Sequence, residues 1–140
     1  MNAVEIEEAI TALAAEPFDS TEFPFAFLEA FGNKQATIKK LRSGASNKTD
    51  IEGAVLQRNN IHILVSNKGE INSDFDRLKN SPETKKSKAK FILATDGEEL
   101  QAEDLISGET VSCEYQDFPN HFGFFLPLAG ITTVKEIKEN

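Results

Sequence analysis

The chain has 140 residues, a length typical of one domain, and its 23 acidic and 15 basic residues give a formal net charge of -8. Its hydrophobic fraction of 39%, with 11 Phe, is enough for one core, whereas no apolar run approaches the roughly 20 residues of a membrane span. The acidic N-terminus is unlike a signal peptide, and a single cysteine, Cys113, excludes an internal disulfide and a metal site built of thiolates.

The net charge is distributed unevenly along the chain. Residues 1–33 contain seven acids and no Lys or Arg, residues 34–90 have a net charge of +7, and residues 91–140 have a net charge of -8. The total argues against a nucleic-acid binder. The basic middle stretch, however, provides the kind of electrostatic field that phosphate contacts need.

Three helices are predicted in the first part of the chain. Apolar residues recur at helical spacing between Asn2, a capping residue, and Pro17, which cannot continue a helix. A second helix is expected to start at Pro24 and to stop at Gly32. A third is expected over residues 34–43, with Asn33 as its cap.

A sheet is predicted in the second part, after a polar loop at residues 43–53. The β-branched run Ile61–Val65 predicts a strand buried on both faces, and the spacing from residue 91 onward is typical of an antiparallel meander. The segment 121–131, broken by Gly and Pro, predicts packed irregular structure. The remaining expectations are strands at 54–57, 91–94, 100–105 and 110–115, a helix at 71–79, a solvated basic run at 80–90 and the start of a helix at 132–138.

Few residues are candidates for catalysis. The sequence contains no Gly-rich phosphate loop, no GxSxG elbow and no HExxH motif. We predict that His62 is a structural histidine in a strand, that His121 lies in a turn without a catalytic role, and that Cys113 is a small buried residue.

Acidic residues near lysines are candidate Mg²⁺ ligands, because nucleases hold Mg²⁺ with carboxylates. Two Glu-x-Lys triplets occur, at residues 83–85 and 136–138, and neither ends an apolar strand. Both are predicted to be solvated surface charges, as are the acid pairs at 98–99 and 103–104.

Two groups of basic residues could contact phosphate. A surface without a partner, or a patch that docks on an acidic neighbouring domain, is the alternative for both groups. The first group contains Lys34, Lys39, Lys40, Arg42 and Lys48, and the second contains Arg77, Lys79, Lys85, Lys86, Lys88 and Lys90.

Four segments resemble the N-terminal domain of MmeI-like proteins, which are large type IIL restriction–modification enzymes and related class I S-adenosylmethionine-dependent DNA methyltransferases. These segments are EFPFAFLEAFGNKQATIKKLRSG, GAVLQRNNIHILVSNKG, KAKFILATDGEELQAEDLISGETV and HFGFFLPLAGI. The resemblance implies that residues 1–140 are one N-terminal domain of a larger DNA-modification protein. Its parts would be a helical region at 1–44, a sheet-containing core at 45–130 and the start of a linker or next helix at 131–140.

The resemblance also implies what surrounds the domain. A helical spacer, an adenine-N6 methyltransferase domain and a target-recognition domain would follow in a bacterial cytoplasmic protein. S-adenosylmethionine would serve the parent protein, with no cofactor, no metal and no membrane contact in this chain. DNA and the downstream domains would be its partners.

The family's N-terminal domain can be a PD-(D/E)xK nuclease, in which an Asp begins one strand and Glu-x-Lys ends the next, about ten residues on. Matching this pattern places Ser66 at the Glu position and Leu56 at the Asp position, and it retains Lys68. Asp50 and Glu52 are too far upstream. The resemblance therefore implies an α/β fold, with N-terminal helices before a mixed, mainly antiparallel sheet, and a degenerate nuclease-like core without catalytic residues.

Our leading hypothesis is a non-catalytic module that supports DNA binding or domain assembly. One alternative is an active Mg²⁺-dependent endonuclease with relocated acids, for instance Asp50 or Glu52 with Lys68. Another is a structural protein–protein interaction domain whose basic face docks on an acidic partner. The candidates for DNA contacts are Lys34, Lys39, Lys40, Arg42, Lys48, Arg58 and Lys68.

Overall fold

A computed structural model describes residues 2–131. The helix predicted at 132–138 and the triplet at 136–138 lie outside these residues. The helices are α1 (Ala3–Ala15), α2 (Phe23–Ala30), α3 (Gln35–Arg42), α4 (Ile71–Asn80), α5 (Pro82–Lys86) and α6 (Phe122–Phe125), and α6 lies between 3-10 helices at Tyr115–His121 and Leu126–Ala129. The strands are β1 (Val55–Gln57), β2 (Ile61–Val65), β3 (Phe91–Thr95), β4 (Glu99–Asp104) and β5 (Thr110–Glu114).

Helix α1 begins with the predicted cap. The Asn2 side chain accepts a hydrogen bond from the Glu5 N–H at 2.9 Å, and the Glu5 carboxylate accepts one from the Asn2 N–H at 3.0 Å. This reciprocal pair satisfies two backbone donors that a helix start leaves open. The helix ends before Pro17, and its inward stripe includes the fully buried Ile6 and Ile10.

The predicted cap of α3 was wrong. The helix begins at Gln35, Lys34 occupies its N-cap position, and no side chain caps it. Asn33 instead closes the preceding helix, because its amide donates to the Leu28 carbonyl at 3.0 Å. Its oxygen accepts a hydrogen bond from the Gln57 amide at 2.8 Å, so Asn33 joins the α2–α3 connection to the end of β1.

The five strands form one sheet in the order β1-β2-β3-β4-β5. Strands β2 and β3 are parallel, with α4 and α5 in the connection between them, and the other three pairs are antiparallel. The prediction of a mixed, mainly antiparallel sheet after N-terminal helices is therefore confirmed, and so is the meander from β3 onward.

Helices cover both faces of this sheet. Ile61, Ile63 and Leu93 face the larger cluster, which also contains the buried residues of α1, α2 and α3. Leu64 and Ile92, on the opposite face, pack with Ile71 and Leu78 of α4. Alternate residues of β2 thus enter different clusters, which confirms the predicted burial of this strand on both faces.

An aromatic cluster fills the larger side. Phe27 lies at its centre, fully buried, with the Phe31 ring centroid 4.8 Å away and the Phe125 centroid 5.5 Å away. Segment 121–131 contributes to this cluster through α6 and the following 3-10 turn, so it is packed as predicted but more regular than expected. His121 ends the preceding 3-10 helix rather than lying in a loop.

Three further predictions need correction. The run at 80–90 is not merely solvated, because α5 forms there and Thr84 is buried. Glu103 does not face solvent: it is 8% exposed, and Lys79 Nζ lies 3.1 Å from its Oε1. Cys113 is only partly buried at the margin of the larger cluster, and burial raises the pKa of its thiol to about 11.

No helix within residues 2–131 has the length and apolar character needed to cross a membrane.

Candidate functional site

The carboxyl end of β2 carries Ser66, which the motif alignment placed at the nuclease Glu position. Ser66 follows the strand directly and is 8% exposed, and its N–H donates to the Thr95 carbonyl at 2.8 Å. Its Oγ has no hydrogen-bond partner among the described residues. The backbone thus holds Ser66 where a strand end would present a ligand, but a neutral hydroxyl stands in place of a carboxylate.

Lys68 lies two residues after Ser66, and its side chain contacts an acidic residue in the β3–β4 turn. Its Nζ is 2.7 Å from Glu98, which lies between β3 and β4, and both side chains are exposed. The hydrogen bond with Glu98 raises the pKa of Lys68. Lys68 therefore remains a cation, paired with an acid outside the proposed motif.

Leu56 does not complete a motif with Ser66. It is fully buried in β1 and pairs with His62 in the antiparallel ladder. His62 precedes Ser66 by four residues, which corresponds to about 13 Å along a strand. Counting ten residues back therefore selects a core position rather than a neighbour of Ser66.

Asp50 and Glu52 lie too far upstream to match the motif but share a cavity with Ser66. Both line a cavity of about 800 Å³ that Ser66 and Asn67 also line. The Asp50 carboxylate accepts a hydrogen bond from the Ser81 hydroxyl at 2.6 Å, which ties it to the α4–α5 junction.

Among the residues that line this cavity, only Asp50 and Glu52 carry a carboxylate. Within residues 2–131, no group of three or more His, Cys, Asp or Glu side chains could hold a metal. Magnesium requires near-octahedral oxygen coordination anchored by carboxylates. We therefore assign no metal-dependent step to these residues.

Arg42 borders the same cavity and is engaged within the domain. Its guanidinium lies 2.6 Å from the Glu22 carboxylate and 4.5 Å from the centroid of the Phe25 ring. The hydrogen bond to Glu22 raises the pKa of Arg42. These contacts connect the end of α3 to α2, so Arg42 has a structural role apart from any phosphate contact.

The seven predicted DNA-contact residues do not form one group. Lys39 and Lys40 are exposed on α3, and Lys34 precedes that helix. Lys48 follows in the loop, where its N–H donates to the Leu56 carbonyl at 3.0 Å. Arg58 lies in the β1–β2 turn, at the opposite end of β2 from Lys68.

His62 is buried in a hydrogen-bonded network. Its Nδ1 is 2.8 Å from Thr84 Oγ1 and its Nε2 is 2.7 Å from Thr49 Oγ1. Because the Thr84 hydroxyl donates to the Leu78 carbonyl at 2.8 Å, it accepts from His62 Nδ1–H, and Nε2 accepts from Thr49. Burial lowers the pKa of His62 to about 4, against a smaller opposing effect of Asp50.

The sequence analysis did not predict either threonine partner of His62. Thr49 comes from the loop before β1 and Thr84 from α5, 13 and 22 residues from the histidine. Their only sequence signal is a hydroxyl residue within otherwise polar runs. Through this network His62 holds the loop before β1 and helix α5 to the sheet.

Comparison with known sequences identifies the family to which the chain belongs. The sequence pattern of the family described as the N-terminal domain of MmeI matches residues 1–140. The chain belongs to the MmeI N-terminal domain family. This confirms the resemblance on which the motif alignment was based.

One curated relative of this MmeI-type domain is DNA methyltransferase A of Bacillus subtilis (strain 168). The two are 26% identical over 140 residues, which is the whole of this chain. The chain spans only 16% of the relative's length. No solved structure shows a significant match to the chain.

The β2–α4 connection of this MmeI-type domain differs from a glycine-rich cofactor loop. A dinucleotide-type cofactor loop places several glycines between a strand and a helix, whereas the β2–α4 connection has Gly69 alone, and a Cβ added there would meet nothing within 4 Å. The backbone therefore makes no close approach that only glycine would permit. We derive no step through S-adenosylmethionine in these residues.

Proposed function

We propose that this domain is the non-catalytic N-terminal module of a larger DNA methyltransferase or restriction–modification protein. Membership of the MmeI N-terminal domain family supports this proposal, as does the methyltransferase relative, of which the chain spans 16%. Residues 1–140 would form the first domain of the parent protein. S-adenosylmethionine would bind in the downstream methyltransferase domain.

The residues at the carboxyl end of β2 support the proposal that the domain is non-catalytic. A β1–β2 hairpin followed by helices and a parallel β3 supports a nuclease-like core. At the strand end, Ser66 replaces a carboxylate and Lys68 is paired with Glu98. A hydroxyl and a paired lysine do not hold Mg²⁺ or activate water by the metal route.

The exposed lysines of α3 support the DNA-contact part. Lys39 and Lys40 are neighbours on the solvent side of a helix whose inward residues are Ile38 and Leu41. Neither lysine is in an ion pair among the described residues, so both charges are available to phosphate oxygens. Lysine contacts with phosphate give affinity without sequence specificity.

We expect Lys39→Gln/Lys40→Gln to weaken binding to a 20-base-pair duplex. The slope of log affinity against log salt is negative, and each lost phosphate contact makes it shallower by about 0.9. The slope of the double variant should therefore be shallower than that of the wild type by about 1.8. Fluorescence anisotropy of the labelled duplex over a salt series measures both affinity and slope.

The matched control is Val4→Glu/Ala12→Glu, which changes the net charge by the same amount. Both positions are exposed, and they lie on α1 rather than on the helix that carries the two lysines. The control should retain the wild-type slope. An unchanged slope in the α3 variant contradicts the assignment of α3, and no binding by the wild type at low salt contradicts DNA contact altogether. The latter result would favour an assembly role, in which the basic face docks on the downstream domains.

An endonuclease with relocated acids is the second candidate. It is favoured by one observation, namely that Asp50, Glu52 and Ser66 line the same cavity. The tie between Asp50 and Ser81 weighs against it, because that carboxylate already has a hydrogen-bond partner.

A further inference from the structure

We propose that a second phosphate-binding surface lies at the amino end of the parallel strands β2 and β3. This surface, called the basic edge below, consists of Arg58, Lys85, Lys86, Lys88 and Lys90. It lies at the opposite end of β2 from Ser66 and Lys68. Its ligand would be the phosphodiester backbone of duplex DNA.

Backbone hydrogen bonds bring two distant segments together to form the basic edge. The Asn59 N–H donates to the Ser87 carbonyl at 2.8 Å, and the Lys90 N–H donates to the Asn60 carbonyl at 2.7 Å. The β1–β2 turn that carries Arg58 is thereby fixed against the α5–β3 loop. The sequence separates these cations by almost thirty residues, and the fold makes them one surface.

Hydrogen bonds fix the segment that carries the four lysines of the basic edge to the sheet. Thr84 of α5 is bonded to His62 in the sheet, and its carbonyl accepts from the Ala89 N–H at 3.0 Å. The Lys88 N–H donates to the Lys85 carbonyl, also at 3.0 Å. Lysines on a rigid loop lose less entropy on binding than lysines on a flexible one.

The charges of the basic edge are largely uncompensated. Among the described residues, its only ion pair is the one between Lys86 and Glu83, at 3.7 Å. Asp104 ends β4 beside Lys90, whose carbonyl accepts the Leu105 N–H. The Asp104 carboxylate accepts the N–H groups of Ile106 and Ser107 but forms no ion pair with the edge among the described residues. A cavity of about 890 Å³ beside the edge is lined by Lys85, Lys86 and Lys88, together with Lys79 and its partner Glu103.

The backbone of the basic edge is also unusual. Within residues 2–131, the only non-glycine residues with positive φ are Asn59, at 64°, and Lys88, at 58°. Asn tolerates this left-handed region, whereas a lysine is strained in it. Glycine would adopt the φ of Lys88 without strain. The lysine therefore places a charge at this position while lowering the stability of the domain.

The composition of the surface favours duplex phosphate over other polyanions. Lysine is depleted in protein–protein interfaces, which are enriched in aromatic residues. Single-stranded nucleic acid is bound by stacking on exposed aromatic rings, and none of the five edge residues is aromatic. Point charges on a rigid loop suit a backbone whose negative charge is dense and regular.

The choice of DNA as the polyanion rests on the proposed function, whereas the surface itself rests on the contacts above. The test is Lys85→Gln/Lys88→Gly, compared with wild type in the duplex titration over salt. Glycine removes a charge and also relieves the backbone at Lys88, so the variant should fold at least as stably. We expect a loss of about 1.8 from the salt slope and an affinity at least tenfold lower at low salt.

The Val4→Glu/Ala12→Glu variant again controls for net charge and should keep the wild-type slope. Combining the edge and α3 variants should add their slope losses, as expected for separate phosphate contacts. An edge variant with the wild-type slope overturns the basic edge while leaving contacts through α3 intact. If the wild type binds poly-glutamate as tightly as the duplex, the preference for phosphate is overturned. If the wild type binds neither poly-glutamate nor the duplex, both proposals are overturned.

Discussion

Replacing Phe27 by alanine should lower the free energy of unfolding by about 3–5 kcal/mol, the range observed for buried phenylalanines. The side chain is fully buried, and its ring lies 4.8–6.2 Å, centroid to centroid, from four other phenylalanine rings. These rings come from α2 and from the C-terminal 3-10 and helical turns. The resulting cavity would thus open where the two ends of the described chain meet.

Urea titration followed by circular dichroism measures this loss. The transition midpoint should fall while its slope against denaturant stays constant. Phe75→Ala is the matched control, because Phe75 is only partly buried on the other face of the sheet. A loss for Phe27→Ala no larger than that for Phe75→Ala would show that the aromatic cluster does not centre on Phe27.

Acidification should destabilise the domain through His62. The pKa of this imidazole is about 4 in the folded chain, because burial disfavours its charged form, whereas an unfolded histidine has a pKa near 6.5. Between these values the unfolded state binds a proton that the folded state does not, so stability falls as pH falls. The stabilising effect is complete above pH 6.5, and about 3 kcal/mol is lost by pH 4.

The experiment compares wild type with His62→Gln, which retains hydrogen-bonding capacity but cannot titrate. The free energy of unfolding is measured at intervals from pH 7 to pH 4. The wild type should lose more stability than the variant, and the difference should approach one bound proton in the middle of this range. Parallel curves, or a His62 ring resonance that titrates near pH 6.5 in NMR spectra, would refute the buried neutral imidazole.

Local patterns predicted most of the elements. The capping residue Asn2, the breaker Pro17 and the β-branched run of β2 act through nearest neighbours, so the sequence displays their signals directly. Asn33 was misassigned because its partners are Leu28 and Gln57, the latter 24 residues away. Helix α5 was missed because its buried Thr84 depends on His62, across the same kind of distance.

The candidate site was predictable only in part. The identities of Ser66 and Lys68 follow from counting along one strand. The position opposite Ser66 depends on ladder register, and the register of β1 places Leu56 against His62 instead. Charge counting likewise separated two basic groups but did not join Arg58 to the lysines of the second, because contacts between the Arg58 turn and the loop after α5 bring them together.

We expect no cleavage chemistry at the end of β2, and a plasmid assay tests this expectation. Supercoiled DNA is incubated with excess chain and millimolar Mg²⁺, alongside Lys68→Ala and Asp50→Asn variants. Wild type should produce no more nicked or linear DNA than either variant or a protein-free control. Mg²⁺-dependent nicking by the wild type that disappears in Lys68→Ala or Asp50→Asn would contradict it.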